Sequence, residues 1–457
     1  MVGLTRRLRM TDYLETLSDF AATTSYEDLS VDAVNAAREV VLDTVGAIVA
    51  GYGLPENMSL AKLAAARSSP QTATILGAGL KAEPMWATLA NGTAGVGLEM
   101  DEGNRYGGGH PSIHVLPAAL AVGEELHSSG KKLIESLIVG YEVSSRLGTA
   151  SRPRKNVHSH GHWGTPGAAV AVAKLSGYSA NEMRNIINIS TSMSPANSWT
   201  PCFEGATIRN AYSGRSGFQG ILAVHMYEAG FTGIHDAPSD IFGSILGDTF
   251  EPDKAVLGLG DIYRIQQNYF KFHACCRYNH PTLDAIMDIN QRESFKPDEV
   301  EEVEVVTIGG IPEGMIGPYP PNMLSAKFNI PYAVASALVL HTTDITAFYD
   351  SPRIDKDIVE LSNKVNVTLD TKMTMSRDDQ SCAEVKIVLK DGRVIRETTT
   401  SIRGDAANPV THQQLIDKFM FITRDNLDQQ TADSVVKTID CLETLSDVNE
   451  FTSLLNG

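Results

Sequence analysis

Cysteine is scarce in this sequence, and no two cysteines have the spacing of a metal-binding or redox motif. The 457 residues contain five of them, Cys202, Cys275, Cys276, Cys382 and Cys441. A disulfide framework needs a denser set of cysteines, and an iron–sulfur centre needs grouped, spaced thiolates. We therefore expect reduced thiols, with Cys275 and Cys276 as small buried residues, and a cytoplasmic location.

Positive charge and long apolar runs are also in short supply. Lys and Arg number 38 against 55 Asp and Glu, which gives a net charge of −17. This balance argues against binding to nucleic acid or to an anionic membrane by bulk charge, while a local basic site for an anionic substrate stays compatible with it. No apolar run approaches the ~20 residues of a membrane span. The segment MVGLTRRLRM is not followed by the apolar stretch of a secretory signal, which argues against secretion. A short organellar leader stays an open alternative.

Amphipathic helical patterns fill most of the first 270 residues. Ser30 is a suitable N-cap for a helix over 31–50, and Gly51 is a suitable end. Small residues, as in GTPGAAVAVAKLSG, let helix axes approach closely, which favours a buried helical core. Further helices are predicted over 84–98, 113–127, 131–147, 165–175, 180–192 and 209–228.

The pattern changes after this region. Valine-rich alternation over 300–308 predicts a strand, and Asp391-Gly392 predicts a hairpin turn between two more strands. The fold class is therefore mainly α, with a large all-helical domain and an inserted smaller α+β lid domain. We place the helical domain at 1–270 and 405–457, and the lid domain at 271–404.

Four stretches of the chain contain no acidic residue although acidic residues are common elsewhere. Together they carry histidines, arginines and lysines, so their convergence would form a cationic pocket suited to a small polycarboxylate. Helix faces packed on acidic neighbours are the alternative. The four windows are 103–123, 143–181, 205–227 and 262–283.

His110 stands at a loop-to-helix junction in the first window. Three glycines, 107–109, precede it and Pro111 follows, which favours a side chain that faces a cavity. Asp101 and Glu102 come before the loop, and a carboxylate beside a histidine fixes its tautomer and raises its basicity. A structural, hydrogen-bonded histidine is the alternative.

Three histidines at alternate positions, His158, His160 and His162, invite a metal interpretation. Alternation places them on one side of an extended segment, but no compact set of Asp, Glu or Cys ligands accompanies them. We expect instead that one of them works in the pocket and the others form hydrogen bonds or stack on Trp163. In the fourth window, Lys271, Arg277 and His280 are candidates for binding carboxylates.

In these windows the sequence resembles the MmgE/PrpD family, which includes 2-methylcitrate dehydratase, cis-aconitate decarboxylase and iminodisuccinate epimerase. The resemblance covers nearly the whole chain. It implies a helical domain interrupted by an α+β lid, a site in the cleft between them, a homodimer, and no metal or organic cofactor. The segments that carry it are LDTVGAIVAG (42–51), ANGTAGVGLEMDEGN (90–104), GHPSIHVLPAALAVGEEL (109–126), HSHGHWGTPGAAVAVAKLSG (158–177), KFHACCRYNHPTLDA (271–285) and AKFNIPYAVA (326–335).

The resemblance also implies roles for individual residues. His110 and His158 match active-site histidines of the family, Lys271 matches an active-site lysine, and Tyr319 lies near the position of a site tyrosine. Two departures stand out. Decarboxylases and dehydratases commonly show an acidic DxDDT-like run, which here reads Glu-Met-Asp-Glu-Gly over 99–103, and the region of a decarboxylase lysine reads Ala-Thr-Ile-Arg over 206–209.

The family's reactions share proton transfer at a carbon next to a carboxylate, for which histidine is a suitable base near neutral pH. We predict a cofactor-independent enzyme for a small di- or tricarboxylate, most simply a dehydratase, with epimerase or decarboxylase as alternatives. His110 and His158 would be the acid/base pair, and Asp101 would orient one of them, with Glu99 competing for that role. The expected carboxylate-binding cations are Lys271, Arg209 and Arg277. A metal-dependent enzyme built on 158–162 and a non-catalytic homologue remain alternatives.

Overall fold

The computed structural model describes residues 12–373 and 382–456, and the segment MVGLTRRLRM of the leader prediction lies outside the described residues. As predicted, the described chain is mainly α with a smaller α+β part. Its α-helices are α1 (Tyr13–Thr23), α2 (Val31–Tyr52), α3 (Pro55–Arg67), α4 (Pro84–Gly95), α5 (Pro111–Glu125), α6 (Gly130–Ala150), α7 (Gly164–Leu175), α8 (Ala180–Ser192), α9 (Thr200–Glu204), α10 (Ala211–Glu228), α11 (Ala237–Asp240), α12 (Pro252–Val256), α13 (His280–Arg292), α14 (Met323–Ala326), α15 (Ile330–Leu340), α16 (Asp350–Arg353), α17 (Lys356–Ser362), α18 (His412–Thr423), α19 (Gln429–Asp440) and α20 (Asn449–Thr452).

The strands belong to one four-stranded sheet and three short two-stranded pairs among the described residues. In the sheet the order is β10-β9-β7-β8, with β7 antiparallel to β9 and parallel to β8. The pairs are β1 with β2, β3 with β6 and β4 with β5. The strands are β1 (Ala73–Ile75), β2 (Leu80–Ala82), β3 (Gly103–Asn104), β4 (Ser151–Pro153), β5 (Gly247–Phe250), β6 (Asn268–Tyr269), β7 (Val300–Ile308), β8 (Val365–Asp370), β9 (Ala383–Leu389) and β10 (Val394–Thr399).

Local signals account for several element boundaries. The Ser30 side chain accepts a hydrogen bond from the backbone of Ala33 and caps α2. Strand β7 begins and ends at the predicted residues, and alternate side chains of β9 are buried as its pattern predicts. The Asp391-Gly392 turn joins β9 to β10 in an antiparallel hairpin.

Gly51 does not end α2, which continues to Tyr52. A Cβ atom at Gly51 would lie 1.9 Å from the carbonyl oxygen of Ala94 in α4. Glycine is therefore needed here because two helices approach each other closely, and not because the helix stops. The prediction of a C-terminal glycine was wrong for this reason.

Two large clusters of buried apolar side chains organise the molecule. One takes its members from the helices before residue 271 and from α18 to the C-terminal helices, and the other from residues 274–395 with a few additions such as Leu98 and Met100. Helix α13 packs on β9 and β10, and α15 packs on β8. The domain boundaries near 270 and 405 stay a prediction.

No helix in the described part of the chain combines the length and the apolar character that a bilayer crossing requires.

Candidate active site

A cavity of about 290 Å³ lies between the helical and the α+β parts of the molecule. All four acid-free windows contribute to its wall, so they converge, as the first of the two alternatives required. The carboxylates Glu99 and Asp405 also reach it, and the wall is therefore not purely cationic. The other lining residues are Asn104, Arg105, Gly108, Gly109, His110, His158, Ser159, His160, Trp199, Arg209, Tyr269, Cys276, Arg277, Tyr278, Ile308, Gly309, Gly310, Ile311 and Phe328.

His110 occupies the N-cap position of α5, and Pro111 is the first residue of the helix. Its Nδ1 lies 2.6 Å from the carbonyl oxygen of Glu102 and 2.9 Å from Oδ2 of Asp101. Because a carbonyl oxygen only accepts, Nδ1 carries the hydrogen, and Nε2 is the nitrogen left to exchange a proton. This arrangement places Asp101, rather than Glu99, beside the His110 ring.

The two carboxylates of the acidic run are held by buried cations. The Nζ atom of Lys271 lies 3.0 Å from Oε2 of Glu99 and 3.2 Å from Oδ1 of Asp101. Arg209 forms an ion pair with Oε1 of Glu99. Burial opposes ionisation of Asp101, but the Lys271 ammonium and the His110 ring outweigh it and hold the pKa of Asp101 below its usual range. Both carboxylates are therefore ionised at neutral pH.

Lys271 itself does not line the cavity and is fully buried behind Glu99 and Asp101. Its two carboxylate partners raise its pKa against the effect of burial, so it stays charged. The structure therefore does not bring Lys271 to the cavity, where the expected contact with a substrate carboxylate would be made. Arg209 and Arg277 do line the cavity, and Arg277 is paired with Asp405 at 2.6 Å.

Two of the three alternating histidines line the cavity. Asn197 clamps their segment, because its carbonyl accepts the His158 backbone N–H at 2.9 Å and its side-chain amide donates to the His160 carbonyl. The His158 ring packs on Trp199, with centroids 3.9 Å apart, and the His160 ring stacks on His110 at 4.7 Å. We expected those of the three histidines that do not work in the pocket to form hydrogen bonds or to stack on Trp163. Of the three, His162 contacts the Trp163 ring, and it does so edge-on.

Burial lowers the pKa of His158 and of His160 well below the ordinary value, and the Arg209 charge adds to the effect. Both rings are thus neutral at pH 7. His162 is also buried, with its pKa lowered by burial to about 4, but it does not line the cavity.

Tyr319 is not brought to this cavity. Its hydroxyl donates to the carbonyl of Arg353 at 2.6 Å, and its ring packs on Tyr332 inside the α+β part. A hydroxyl committed to a backbone acceptor is not available to a substrate in this arrangement. The resemblance placed Tyr319 near the site, and the structure corrects that expectation.

Several lining residues escaped the sequence analysis. His160 was part of the alternating motif but received no role of its own, because alternation alone does not say which ring faces the cavity. Trp199, Tyr269 and Asp405 belong to no motif, and their proximity depends on distant contacts such as the bridge between Tyr269 and Asp405.

One group of side chains has the composition of a metal site. Ligand atoms of Asp101, His110 and His160 lie within 4.8 Å of one another. Two contacts oppose a cation there: the Lys271 ammonium is 3.2 Å from Asp101, and Nδ1 of His110 is committed to the carbonyl of Glu102. The expected lack of a metal stays a prediction that metal analysis of the purified protein can test.

Comparisons with known proteins give a consistent result. A family model described as the MmgE/PrpD N-terminal domain matches residues 15–246, and one described as the MmgE/PrpD C-terminal domain matches residues 273–444. Among curated proteins, the chain is similar to a cis-aconitate decarboxylase of Aspergillus terreus (strain NIH 2624), with 22% identity over 96% of this chain and 94% of that protein. Cis-aconitate decarboxylases of Mus musculus (25% identity, 93% of this chain and 89% of that protein) and Homo sapiens (24%, 93% and 90%) are similar as well.

Proposed function

The chain belongs to the MmgE/PrpD family, and from this premise we propose that it is a cofactor-independent lyase for a small di- or tricarboxylate. The observation that carries the proposal is the Asp101–His110 pair, in which His110 lines a cavity that Arg209 and Arg277 also line. An imidazole oriented by a carboxylate is suited to exchange a proton with carbon. The two guanidinium groups are suited to bind substrate carboxylates.

Decarboxylation of a cis-aconitate-type substrate is the first reaction to test, because similar proteins carry that name. In this reaction the bond between carbon and the departing carboxylate breaks, and its electron pair stays on the substrate skeleton. A proton from the imidazolium form of His110 then adds to carbon, and solvent restores the proton. Fixed positive charge near the remaining carboxylates stabilises the electron-rich intermediate.

Dehydration of a 2-methylcitrate-type hydroxy acid is the second candidate. Of the two departures, only the missing lysine over 206–209 separates this chain from the decarboxylases in particular, because the run over 99–103 departs from the decarboxylase and the dehydratase pattern alike. There a base removes the proton next to a carboxylate, and the hydroxyl group leaves as water after protonation. The same Asp101–His110 pair can perform the first of these steps.

Proton NMR in deuterated water distinguishes these reactions. We would incubate chelator-treated protein separately with cis-aconitate, 2-methylcitrate, citrate and iminodisuccinate. Loss of carbon dioxide from cis-aconitate supports a decarboxylase, and an olefinic product from a hydroxy acid supports a dehydratase. Deuterium incorporation with inversion and no new double bond would point to an epimerase instead.

The matched variants are His110→Gln in the site and His225→Gln on the exposed face of α10. We expect the first to lower turnover by about 100-fold or more and the second to leave it unchanged. Wild-type protein that changes none of the four compounds would overturn the proposed function, and an active His110→Gln variant would overturn the role of His110.

A further inference from the structure

The His158 ring is held in one tautomer by its own chain. The backbone N–H of His160 donates to Nδ1 of His158 at 3.0 Å. Nδ1 must therefore be unprotonated, and the hydrogen of the neutral ring is on Nε2. Gaining a second proton would place an N–H against the His160 N–H, so His158 is poorly suited to act as a base.

The buried Nε2 of His158 has no hydrogen-bond partner, and His158 lines the cavity. A buried donor without a partner loses free energy unless an acceptor arrives. A substrate carboxylate beside Trp199 would supply that acceptor. The position thus fits a neutral hydrogen-bond donor.

His160 has the opposite character. The side chain is only 2% exposed, it lines the cavity, and neither Nδ1 nor Nε2 has a hydrogen-bond partner. One nitrogen of the neutral ring can accept a proton while the other keeps its own. No backbone contact fixes its tautomer, so His160 is free to take up and release a proton.

The His160 ring stacks on His110, with an interplanar angle of 28°. The charged and titratable groups around it are Arg209, His110, His158 and His114, together with the Asp101 carboxylate, which lies within 4.8 Å. Two stacked imidazolium rings would repel each other, so the His110–His160 pair holds at most one extra proton at a time. In such a pair, one ring can exchange a proton with the substrate, while the other ring stays neutral and can accept a proton in the next step.

Resting on the proposed function, we propose that His160 is a second proton-transfer residue of this site and that His158 beside it is a neutral donor to a substrate carboxylate. In a dehydration, one ring of the His110–His160 pair takes the proton from carbon. The electron pair of the C–H bond moves towards the adjacent carboxylate and then forms the C=C bond as the C–O bond breaks, and the hydroxyl group leaves as water with that proton. In a decarboxylation, the charged ring donates its proton to the carbon that lost carbon dioxide, and water reprotonates the ring.

Glutamine variants separate the two roles, since glutamine carries an N–H donor but does not titrate. We expect His160→Gln to lower kcat by at least about 100-fold with KM changed by less than about threefold. For His158→Gln we expect mainly a raised KM, with kcat within about tenfold of wild type. The measurement is steady-state kinetics with the substrate found in the NMR panel. Circular dichroism spectra of the variants are compared with that of the wild type to show that each variant is folded.

A second variant guards against a folding defect. His160→Ala leaves a hole beside His110, and added imidazole is expected to restore part of kcat there but not in His158→Ala. His162→Gln is the control, because His162 lies in the same segment, is buried and does not line the cavity. It is expected to keep the kcat of the folded protein.

Inactive wild-type protein would overturn the proposed function and this proposal with it. Active wild type together with a fully active His160→Gln would overturn this proposal alone. A His158→Gln variant that loses kcat as severely as His160→Gln would also overturn it, because a neutral donor would then be insufficient at 158.

Discussion

At the residue scale, cationic side chains that line the cavity are already paired with carboxylates of the protein. Arg209 is paired with Glu99, and Arg277 is paired with Asp405 and lies 4.3 Å over the ring of Tyr269. A substrate carboxylate must therefore share these guanidinium groups with protein carboxylates. Because each guanidinium has five donors, sharing does not require that the existing ion pair break.

Tyr319→Phe tests whether Tyr319 is a site residue. Since its hydroxyl donates to the Arg353 carbonyl away from the cavity, we expect kcat and KM within about twofold of wild type. The lost hydrogen bond should lower the free energy of unfolding by about 1 kcal/mol. Steady-state kinetics measures kcat and KM, and urea denaturation measures the free energy of unfolding. The control is Tyr227→Phe, at a half-buried tyrosine of α10, which is expected to keep the wild-type kcat and KM. A large loss of kcat in Tyr319→Phe alone would restore the role that the resemblance implied.

At the element scale, the segment between α4 and α5 carries Glu99, Asp101 and His110, and side chains from other parts of the chain hold its backbone. Glu99 has a φ of 55°, a left-handed conformation that costs a non-glycine residue roughly 1–2 kcal/mol. The Nζ of Lys327 donates to the carbonyl of Gly97 at 2.8 Å, and the Nζ of Lys418 donates to the carbonyl of Met100 at 2.8 Å. Buried lysines from two distant parts of the chain thus hold the backbone that presents Asp101.

Lys418→Met tests this support. Lys418 also pairs with the buried Asp43 of α2, and removing one partner of a buried pair costs about 3–5 kcal/mol of stability. We expect that loss in urea denaturation. We also expect a lower kcat, because the Met100 carbonyl loses its donor and Asp101 shifts.

The double variant Asp43→Asn/Lys418→Met separates the two effects. Without a buried unpaired carboxylate, most of the stability should return, while kcat should stay low. If kcat returned together with stability, the contact to Met100 would have no part in positioning Asp101.

At the scale of the whole molecule, the cavity depends on both parts of the fold. Its histidines come from the helical part, while Ile308 is the last residue of β7 in the α+β part and Gly309 and Gly310 follow it. Several ionisable groups are buried around it in the neutral form. Burial lowers the pKa of His114 to about 3 and that of His162 to about 4, and it raises the pKa of Glu102 to about 8. The homodimer implied by the resemblance stays a prediction.

These groups predict how stability depends on pH. Below about pH 6.5 the unfolded chain binds protons at His114 and His162 that the folded chain does not, so each costs about 1.4 kcal/mol of stability per pH unit as the pH falls. Glu102 acts in the opposite direction, since between about pH 4.5 and 8 the folded chain keeps a proton that the unfolded chain releases. Together with the buried neutral His158 and His160, these two histidines outweigh Glu102 below about pH 6.5, and of these groups Glu102 is the one that acts above it.

We therefore expect the free energy of unfolding to be highest near about pH 6.5, measured by urea denaturation over a pH series. The control is Glu102→Gln, which resembles the protonated acid and can still accept the Ser112 N–H. This variant should lose the decline on the alkaline side and keep the one on the acidic side. Stability that rises steadily towards pH 5 in the wild type would contradict the assignment of His114 and His162 as buried neutral groups.

Much of the secondary structure and part of the site were predictable because their signals are local. Valine alternation determines β7, Ser30 caps α2, and proline after His110 starts α5 with that histidine at its N-cap. The absence of acidic residues from four windows suggested a shared cavity but left open the alternative of helix faces packed on acidic neighbours. The capping, alternation and proline signals each act within a few residues of the chain, so they can be recognised without knowing the tertiary contacts.

Tertiary structure decided what each group faces. Gly51 stays inside α2 because Ala94 approaches it, Lys271 turns to Glu99 and Asp101 instead of the cavity, and Tyr319 bonds to Arg353. The sequence by itself determined the family motifs, the elements and the residue types of the site. The charge state of Lys271 and the access to the Tyr319 hydroxyl depend on partners 34 to 172 residues away in the chain, and only folding brings those partners into contact.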